Sequence, residues 1–383
     1  LGEKPGVKAG VGYSSHQSSE VAGREAARSA LRLSGQPAIT LLFTTDGYDQ
    51  EKVLEAVLQE TGKTSLLGAC GAGLITPDGV LEKGVGVLTI SGKDIFSRTA
   101  LVKINPENPV ATGKEIAEEL LSNCPVEQGT VVLFPDGFGA NISKIVCSLY
   151  GFMGPSYQFL GASTGDNMQF VRTFQMNELG VASGSIAAAL ISGCSFGVAI
   201  RHGWNRKGPP LVITRAEGKF LYEFDSRPAF EVYSERLGSI EKENFPIYGA
   251  ENPLGIPETC GYLLIRDPLN VRDDGSIELV TEVPTSAVAY LMSTKLDEQL
   301  KIARETVTAA LNKVAKPVFA LVFNCVSRFL LMGDRYRDEL EIITSLFGDR
   351  FPFLGFLSFG EIGAYSGVPL LHNKSFLVAV GGE

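Results

Sequence analysis

The chain has 383 residues, 44% of them hydrophobic and 20% charged, with a formal net charge of −9. That length exceeds what one hydrophobic core usually serves, so two domains are expected. The acidic balance, with no Lys/Arg run, argues against nucleic-acid or anionic-membrane binding. Six cysteines (70, 124, 147, 194, 260 and 325) and three histidines (16, 202 and 372) lie singly. No zinc-like spacing or disulfide framework is readable, so no metal or cofactor is expected, and the thiols read as reduced in a cytosolic compartment.

In chain order, Val7 to Ser14 reads as a short strand and Ser19 to Leu33 as a helix with an alanine-rich side. The run ITLLFTTD (Ile39 to Asp46) is followed by Gly47, a helix-like Glu51 to Glu60, then SLLGACGAG (Ser65 to Gly73) and GVGVLTISG (Gly84 to Gly92). After a short helix near Ile116 and Leu120 the plan recurs. VVLFPD (Val131 to Asp136) precedes Gly137, an amphipathic Asn141 to Tyr150, QFLGASTGD (Gln158 to Asp166) and SGSIAAALISG (Ser183 to Gly193). DG and LGA in the same order twice predict an internal duplication, residues 39–92 and 131–193.

Leu179 to Ile200 carries no charged side chain and has the length of a membrane span. Its glycines and serines favour a buried hairpin joining Ile186–Ser192 to Phe196–Arg201. The N-terminus has no apolar signal-peptide core, and a chain that begins without Met leaves an upstream segment open. Leu211 to Glu223 predicts a hairpin turning at Glu217–Gly218, Ala229 to Leu237 a helix, and the Pro/Gly-punctuated Ser239 to Pro257 a domain boundary. Thr285 to Leu311 reads as helical.

The last third, Lys316 to Val380, repeats the plan more loosely. PVFALVFNCVSR, FPFLGFLSFGEIG and LLHNKSFLVAV imply three strands with polar residues at their ends: Cys325 and Arg328, Gly360 and Glu361, His372 and Asn373. Polar groups at the edges of buried strands suit a cavity lining. The fold class expected is α+β, with duplicated β-α-β-β units forming mixed sheets, helices on their outer faces, and a related second α+β domain.

Cys-x-x-Arg at Cys325–Arg328, Gly-Glu-Ile at Gly360–Ile362 and Leu-His-Asn at Leu371–Asn373 resemble the pattern of FIST proteins, although Phe329 stands where a small residue is commoner. On that resemblance residues 1–238 are a FIST N-like domain and 239–383 a FIST C-like domain. The resemblance implies an intracellular sensory module for a small molecule, an amino acid or derivative, that passes its signal to a separate protein. The ligand-binding set expected is Cys325, Arg328, Gly360, Glu361, His372 and Asn373. In it Arg328 meets a carboxylate with its planar fork and Glu361 an amine.

Other readings stay open. Cys325 with His372 as base, oriented by Glu361, would suit a cysteine-dependent enzyme. The chain could be a scaffold, and homo-oligomerisation is open. Asp46 and Asp136 read as turn residues capping the next helix, and the GACGAG run at Gly68–Gly73 could cradle an anion weakly.

Overall fold

The computed structural model describes residues 6–258, 261–365 and 367–383. Its central body is one plan used three times. The first unit comprises β1 (Lys8–Ser14), α1 (Ser19–Ser34), β2 (Ile39–Thr45), α2 (Gln50–Thr61), β3 (Ser65–Gly71), a hairpin of β4 (Leu74–Thr76) and β5 (Gly79–Leu81), and β6 (Val85–Ser91). The second comprises β7 (Phe96–Lys103), α3 (Pro109–Leu121), β8 (Gly129–Pro135), α4 (Ile142–Met153), β9 (Tyr157–Ala162), a hairpin of β10 (Gln175–Asn177) and β11 (Gly180–Ala182), and β12 (Ser185–Ser192).

The third unit begins with β13 (Ser195–Arg201) and is then interrupted. The insertion holds β14 (Asn205–Glu217), β15 (Phe220–Phe224), β16 (Arg227–Pro228), α5 (Ala229–Arg236), α6 (Phe245–Glu251), β17 (Leu254–Pro257), β18 (Leu263–Arg266), β19 (Pro268–Val271), β20 (Ile277–Leu279) and β21 (Ala287–Ser293). The unit resumes with α7 (Leu296–Leu311), β22 (Pro317–Cys325), α8 (Val326–Met332), α9 (Tyr336–Phe347), β23 (Phe353–Ser358), a hairpin of β24 (Glu361–Ala364) and β25 (Pro369–His372), and β26 (Phe376–Gly382).

Each unit contributes four strands to its own sheet and lends its hairpin to another. The orders are β1-β6-β2-β3-β10-β11, β7-β12-β8-β9-β24-β25 and β13-β26-β22-β23-β4-β5. The first unit's hairpin therefore sits on the third sheet, the second's on the first, and the third's on the second. In each sheet the two central strands run parallel and the rest antiparallel, so all three are mixed. The fold is α+β with repeated units, and the duplication expected for 39–92 and 131–193 extends to a third copy.

Strands such as β2, β6 and β26 are buried at every position because one face meets the other sheets and the opposite face meets helices. On the outside, α1 and α2 set Ala22, Ala26, Val53 and Val57 against Leu42, Leu66 and Val87. On the inside, Phe43, Phe134 and Phe323 come from the central strand of each sheet and meet edge to face, with centroids 5.6, 5.7 and 6.0 Å apart. The repeated Leu-Gly has a steric cause. A Cβ at Gly161 would lie 2.0 Å from the Leu133 carbonyl oxygen, and one at Gly355 1.7 Å from that of Val322, across the parallel pairs β8–β9 and β22–β23.

The insertion folds as an antiparallel sheet, β18-β17-β21-β14-β15-β20-β19 with β16 beside β15, packed on α5 and α6 through Leu211, Phe224, Tyr233 and Phe245. Three sequence expectations change here. Leu179–Ile200 is no hairpin: β12 pairs with β7 and β8, whereas β13 pairs with β26 in a different sheet. Residues 287–293, expected as helix, form β21, because Leu291, Ala289 and Met292 pack into a sheet before α7 begins. The passage Ser239–Pro257 runs within the insertion, with strands from both sides of it in one sheet. Among the described residues no helix is long and apolar enough to cross a membrane.

Candidate functional site

The carboxyl ends of β8, β22 and β23 open toward the inserted sheet, the usual place for a ligand beside parallel strands. Two cavities of about 480 and 630 Å³ lie there. They share Gly137, Gly139, Ala140, Lys219, Val280 and Phe359, so they are two lobes of one cleft.

The larger lobe has an aromatic wall. Phe138, Phe170 and Phe359 pack mutually with centroids 5.4 to 5.6 Å apart. Phe138 follows β8, Phe359 follows β23, and Phe170 comes from the loop after β9. The buried Asp166 shapes that loop: its carboxylate accepts from the backbone N–H groups of Gln169, Phe170, Val171 and Arg172 at 2.7 to 3.3 Å. These bonds offset the left-handed backbone of Met168 (φ 59°) and Phe170 (φ 55°), which bulky side chains seldom adopt. Phe170 is half exposed.

Opposite the wall the lobe is polar. Cys325 ends β22 with its Sγ 3.1 Å from Ser327 Oγ, and burial pushes the thiol up to about 12. Asp267 lies 3.1 Å from the buried Lys374 ammonium, but without hydrogen-bond alignment, which leaves Lys374 Nζ with no hydrogen bond. Burial raises the Asp267 carboxyl and Lys374 opposes it. Asn373 Oδ1 accepts from Thr281 Oγ1 at 2.7 Å, tying the body to the insertion. Lys219 and Glu278 pair at 2.7 Å on the rim.

Of the residues expected to bind ligand, Cys325 and Asn373 line the cleft. Gly360 turns the chain beside it at φ 133°, and its carbonyl accepts from Ser163 N–H. Glu361 is buried and accepts from Ser358 Oγ, Ser375 Oγ and Ser375 N–H at 2.6, 2.6 and 3.2 Å. His372 lies behind, its Nε2 3.1 Å from the Gly363 carbonyl oxygen.

Arg328 departs from its expected role. Cys325 ends β22 and precedes α8 directly, so Arg328 stands in the first turn of that helix, which carries the guanidinium inward, fully buried. There Nη2 donates to Glu339 Oε2 at 2.7 Å, Nη1 to Glu339 Oε1 and to Asn324, and Nε to Gln299 Oε1 at 2.9 Å. The fork is closed on Glu339, and neither a ligand carboxylate nor Glu361 is its partner. The signal for Glu339 was readable: it shares the buried face of α9 with Tyr336, Ile343 and Phe347, where a carboxylate requires a partner.

The Cys325–His372 pair does not form, since each side chain has a different partner and Glu361 does not touch the imidazole. The two DG aspartates tie turns and cap no helix. Asp46 accepts from Gly47 N–H, Asp49 caps α2, and Asp136 accepts from Phe138 and Gly184 N–H at 2.8 Å. The amides of Cys70 and Ala72 in GACGAG are spent on Phe174 and Leu357 carbonyls, so that run cradles no anion.

Burial raises the Glu361 carboxyl from 4.5 to about 8, against the pull of its serine donors and Arg328. A carboxyl that holds its proton more tightly when folded stabilises fully below its unfolded pKa, and this contribution is lost as pH rises through the folded one. Stability from this group should fall between about pH 4.5 and 8. In denaturant titrations across that range, Glu361→Gln should flatten the decline by at least about 1.4 kcal/mol, one pKa unit. Identical pH profiles for the two proteins would refute the assignment. Burial lowers His372 to about 3 and His202 to about 4, so their contribution is lost as pH falls below 6.5, at the opposite end.

The FIST N domain model matches residues 38–227 and the FIST C domain model residues 229–364. FIST domains are sensory domains that bind small ligands in signalling proteins. The uncharacterized protein MJ1623 of Methanocaldococcus jannaschii is 22% identical over 382 residues, which cover 88% of this chain and 72% of that protein. Cyanuric acid hydrolase from A. caulinodans aligns over 98% of both chains at 9% identity with a TM-score of 0.36. PurLQS from Thermotoga maritima aligns over 98% of this chain and 72% of that one at 10% identity, TM-score 0.24. Neither likeness carries an argument about this chain.

Proposed function

We propose that this chain, which belongs to the FIST family, is a sensor whose small ligand occupies the cleft between the threefold body and the inserted sheet. The observation that supports this most is the aromatic wall of Phe138, Phe170 and Phe359 facing the polar groups of Ser327, Asp267 and Asn373 across about 630 Å³. Such a lobe suits an amphipathic molecule, and an amino acid or derivative with an apolar side chain matches it. The side chain would pack on the phenylalanines, with its amine toward Asp267 and its carboxylate toward Lys219. Cys325 shapes the wall and performs no chemistry. Output goes to a separate protein through the loop that carries Phe170, since the same residue faces ligand and solvent.

The test is a thermal-shift screen against amino acids, small amines and short organic acids, followed by mass analysis of the stabilising compound. A compound that raises the unfolding midpoint and is recovered unchanged is the expected result. Phe170→Ala should weaken its binding about tenfold or more, from the lost aromatic burial, while the unliganded midpoint moves little because the ring is half exposed. The reading fails if no compound in the screen stabilises the protein, or if Phe170→Ala binds as tightly as the parent. A chemically altered compound would return the assignment to an enzyme.

A further inference from the structure

Each lent hairpin lies beside the edge strand of another sheet, and two of the three send a carboxylate across that seam. In the β10–β11 turn Glu178 accepts from the Leu66 N–H of β3 at 2.9 Å and from Thr99 Oγ1 of the edge strand β7 at 2.7 and 2.8 Å. In the β4–β5 turn Asp78 accepts from the Tyr13 hydroxyl of the edge strand β1. The third hairpin, β24–β25, approaches the edge strand β13, where a Cβ on Gly363 would lie 3.1 Å from the Ile200 side chain. It has no acid to send, because the sequence from Ile362 to Leu371 holds neither Asp nor Glu. A cavity of about 820 Å³ lies in that seam, beside Gly129 and Tyr157 at the amino ends of β8 and β9, and so at the opposite end of the body from the cleft.

Strand register fixes what corresponds to Glu178. Gly68 pairs with Leu42 and Met176, and Gly161 with Leu133 and Ile362, so Met176 corresponds to Ile362 and, two residues on, Glu178 to Ala364. Two residues before each glycine, Leu66 corresponds to Phe159. Alternate residues of a strand turn their N–H groups to the same side, so the Phe159 N–H points into its seam as the Leu66 N–H points to Glu178. On the edge strands Thr99 corresponds to Val198, opposite Ala189 and Ala379 respectively. Valine has no hydroxyl, but the Lys313 ammonium stands in its place: it reaches over β13 from just beyond α7 and donates to the Val198 carbonyl oxygen at 2.6 Å. Phe159, Val198, Lys313 and Ala364 all line the cavity. Burial and the nearby Arg201 lower the Lys313 pKa, so this ammonium faces a second cation. Glu383, the only acid among the described lining residues, is engaged by the Val7 N–H at 3.0 Å and Lys316 Nζ at 3.1 Å.

We propose that the seam between β9 and β13 binds the carboxylate of a small organic acid, which takes the place that Glu178 holds between β3 and β7. The carboxylate accepts from the Phe159 N–H and from the Lys313 ammonium, the second a charge-assisted bond. The ligand thus supplies the group that the third hairpin lacks, and the remaining volume of the cavity receives the rest of the molecule. The site is separate from the cleft and does not depend on what the cleft binds.

Backbone-amide NMR of the whole chain, titrated with sodium acetate and separately with sodium chloride at equal ionic strength, tests this. Acetate should shift the Phe159 amide to a plateau that chloride does not reach, while the Leu66 amide, already bonded to Glu178, stays in place. Lys313 is exposed, so Lys313→Met should fold as the parent does and weaken acetate binding about tenfold or more through the lost charge-assisted bond. Ala364→Glu grafts the missing carboxylate onto the hairpin. It should move the Phe159 amide in the absence of acetate and abolish its response to acetate. A Phe159 amide that ignores acetate or responds equally to chloride would overturn the proposal. So would a Lys313→Met variant that binds acetate as tightly as the parent, or a folded Ala364→Glu variant that still binds it.

Discussion

Arg328→Lys is expected to destabilise the protein by about 3–5 kcal/mol whether or not ligand is present. Arg328 and Glu339 are both fully buried and joined through two guanidinium nitrogens, and Asn324 and Gln299 take the remaining contacts. A lysine keeps the charge but presents a point, not a planar fork, so it cannot serve both oxygens of Glu339 and the Gln299 amide together. Asn324 also donates to Glu339 and to the Tyr336 hydroxyl at 3.2 Å, so the loss spreads through β22, α8 and α9. Chemical denaturation measures it. A variant that keeps parental stability but loses affinity for a cleft ligand would restore Arg328 to the binding role that the sequence suggested for it.

That suggestion shows where reading a sequence ran short. The repeated strand-DG-helix-LG pattern was legible because its cause is local: apolar strands, a turn, and a glycine that backs onto a carbonyl in the parallel neighbour, as Gly161 and Gly355 do. Cys325 and Asn373 were legible for the same reason, as polar residues at the ends of buried strands. The exchange of hairpins was not. β4, β5, β10 and β11 are three residues each, too short for any periodicity, and their partners lie in a different unit. The partner of Arg328 and the wall formed by Phe138, Phe170 and Phe359 come from separate elements brought together only by folding. The charge-free stretch from Leu179 to Ile200 reads as one hairpin because nothing in it records that its two strands belong to consecutive copies of the plan.

The threefold axis yields the other large effect. In the parallel pairs Phe43 stands opposite Ala69 and Phe323 opposite Phe356, while Phe134, one residue beyond the Leu133–Gly161 pair, corresponds to Ala162. The same register position is therefore alanine in two units and phenylalanine in the third. The two small residues leave room near the axis, and the Phe356 ring fills it, 5.1 to 5.6 Å from Phe43, Phe134 and Phe323. Gly71 makes room as well, since a Cβ there would lie 2.6 Å from the Phe356 ring. Phe356→Ala would make the third unit resemble the other two, yet it is expected to cost about 3–5 kcal/mol. The cavity would lie where three sheets meet, among the rings of Phe43, Phe134 and Phe323, which already pack on one another in a core that relaxes only in part. Phe356→Leu should recover part of the loss by refilling volume without the ring contacts, tilted on Phe43 and Phe323 and edge to face on Phe134, such aromatic pairs being worth about 0.5–1.5 kcal/mol beyond the buried area. Equilibrium unfolding of the two variants beside the parent decides it: a cost below about 1 kcal/mol for Phe356→Ala would mean that the sheets close on themselves and that the ring is not what holds the axis apart.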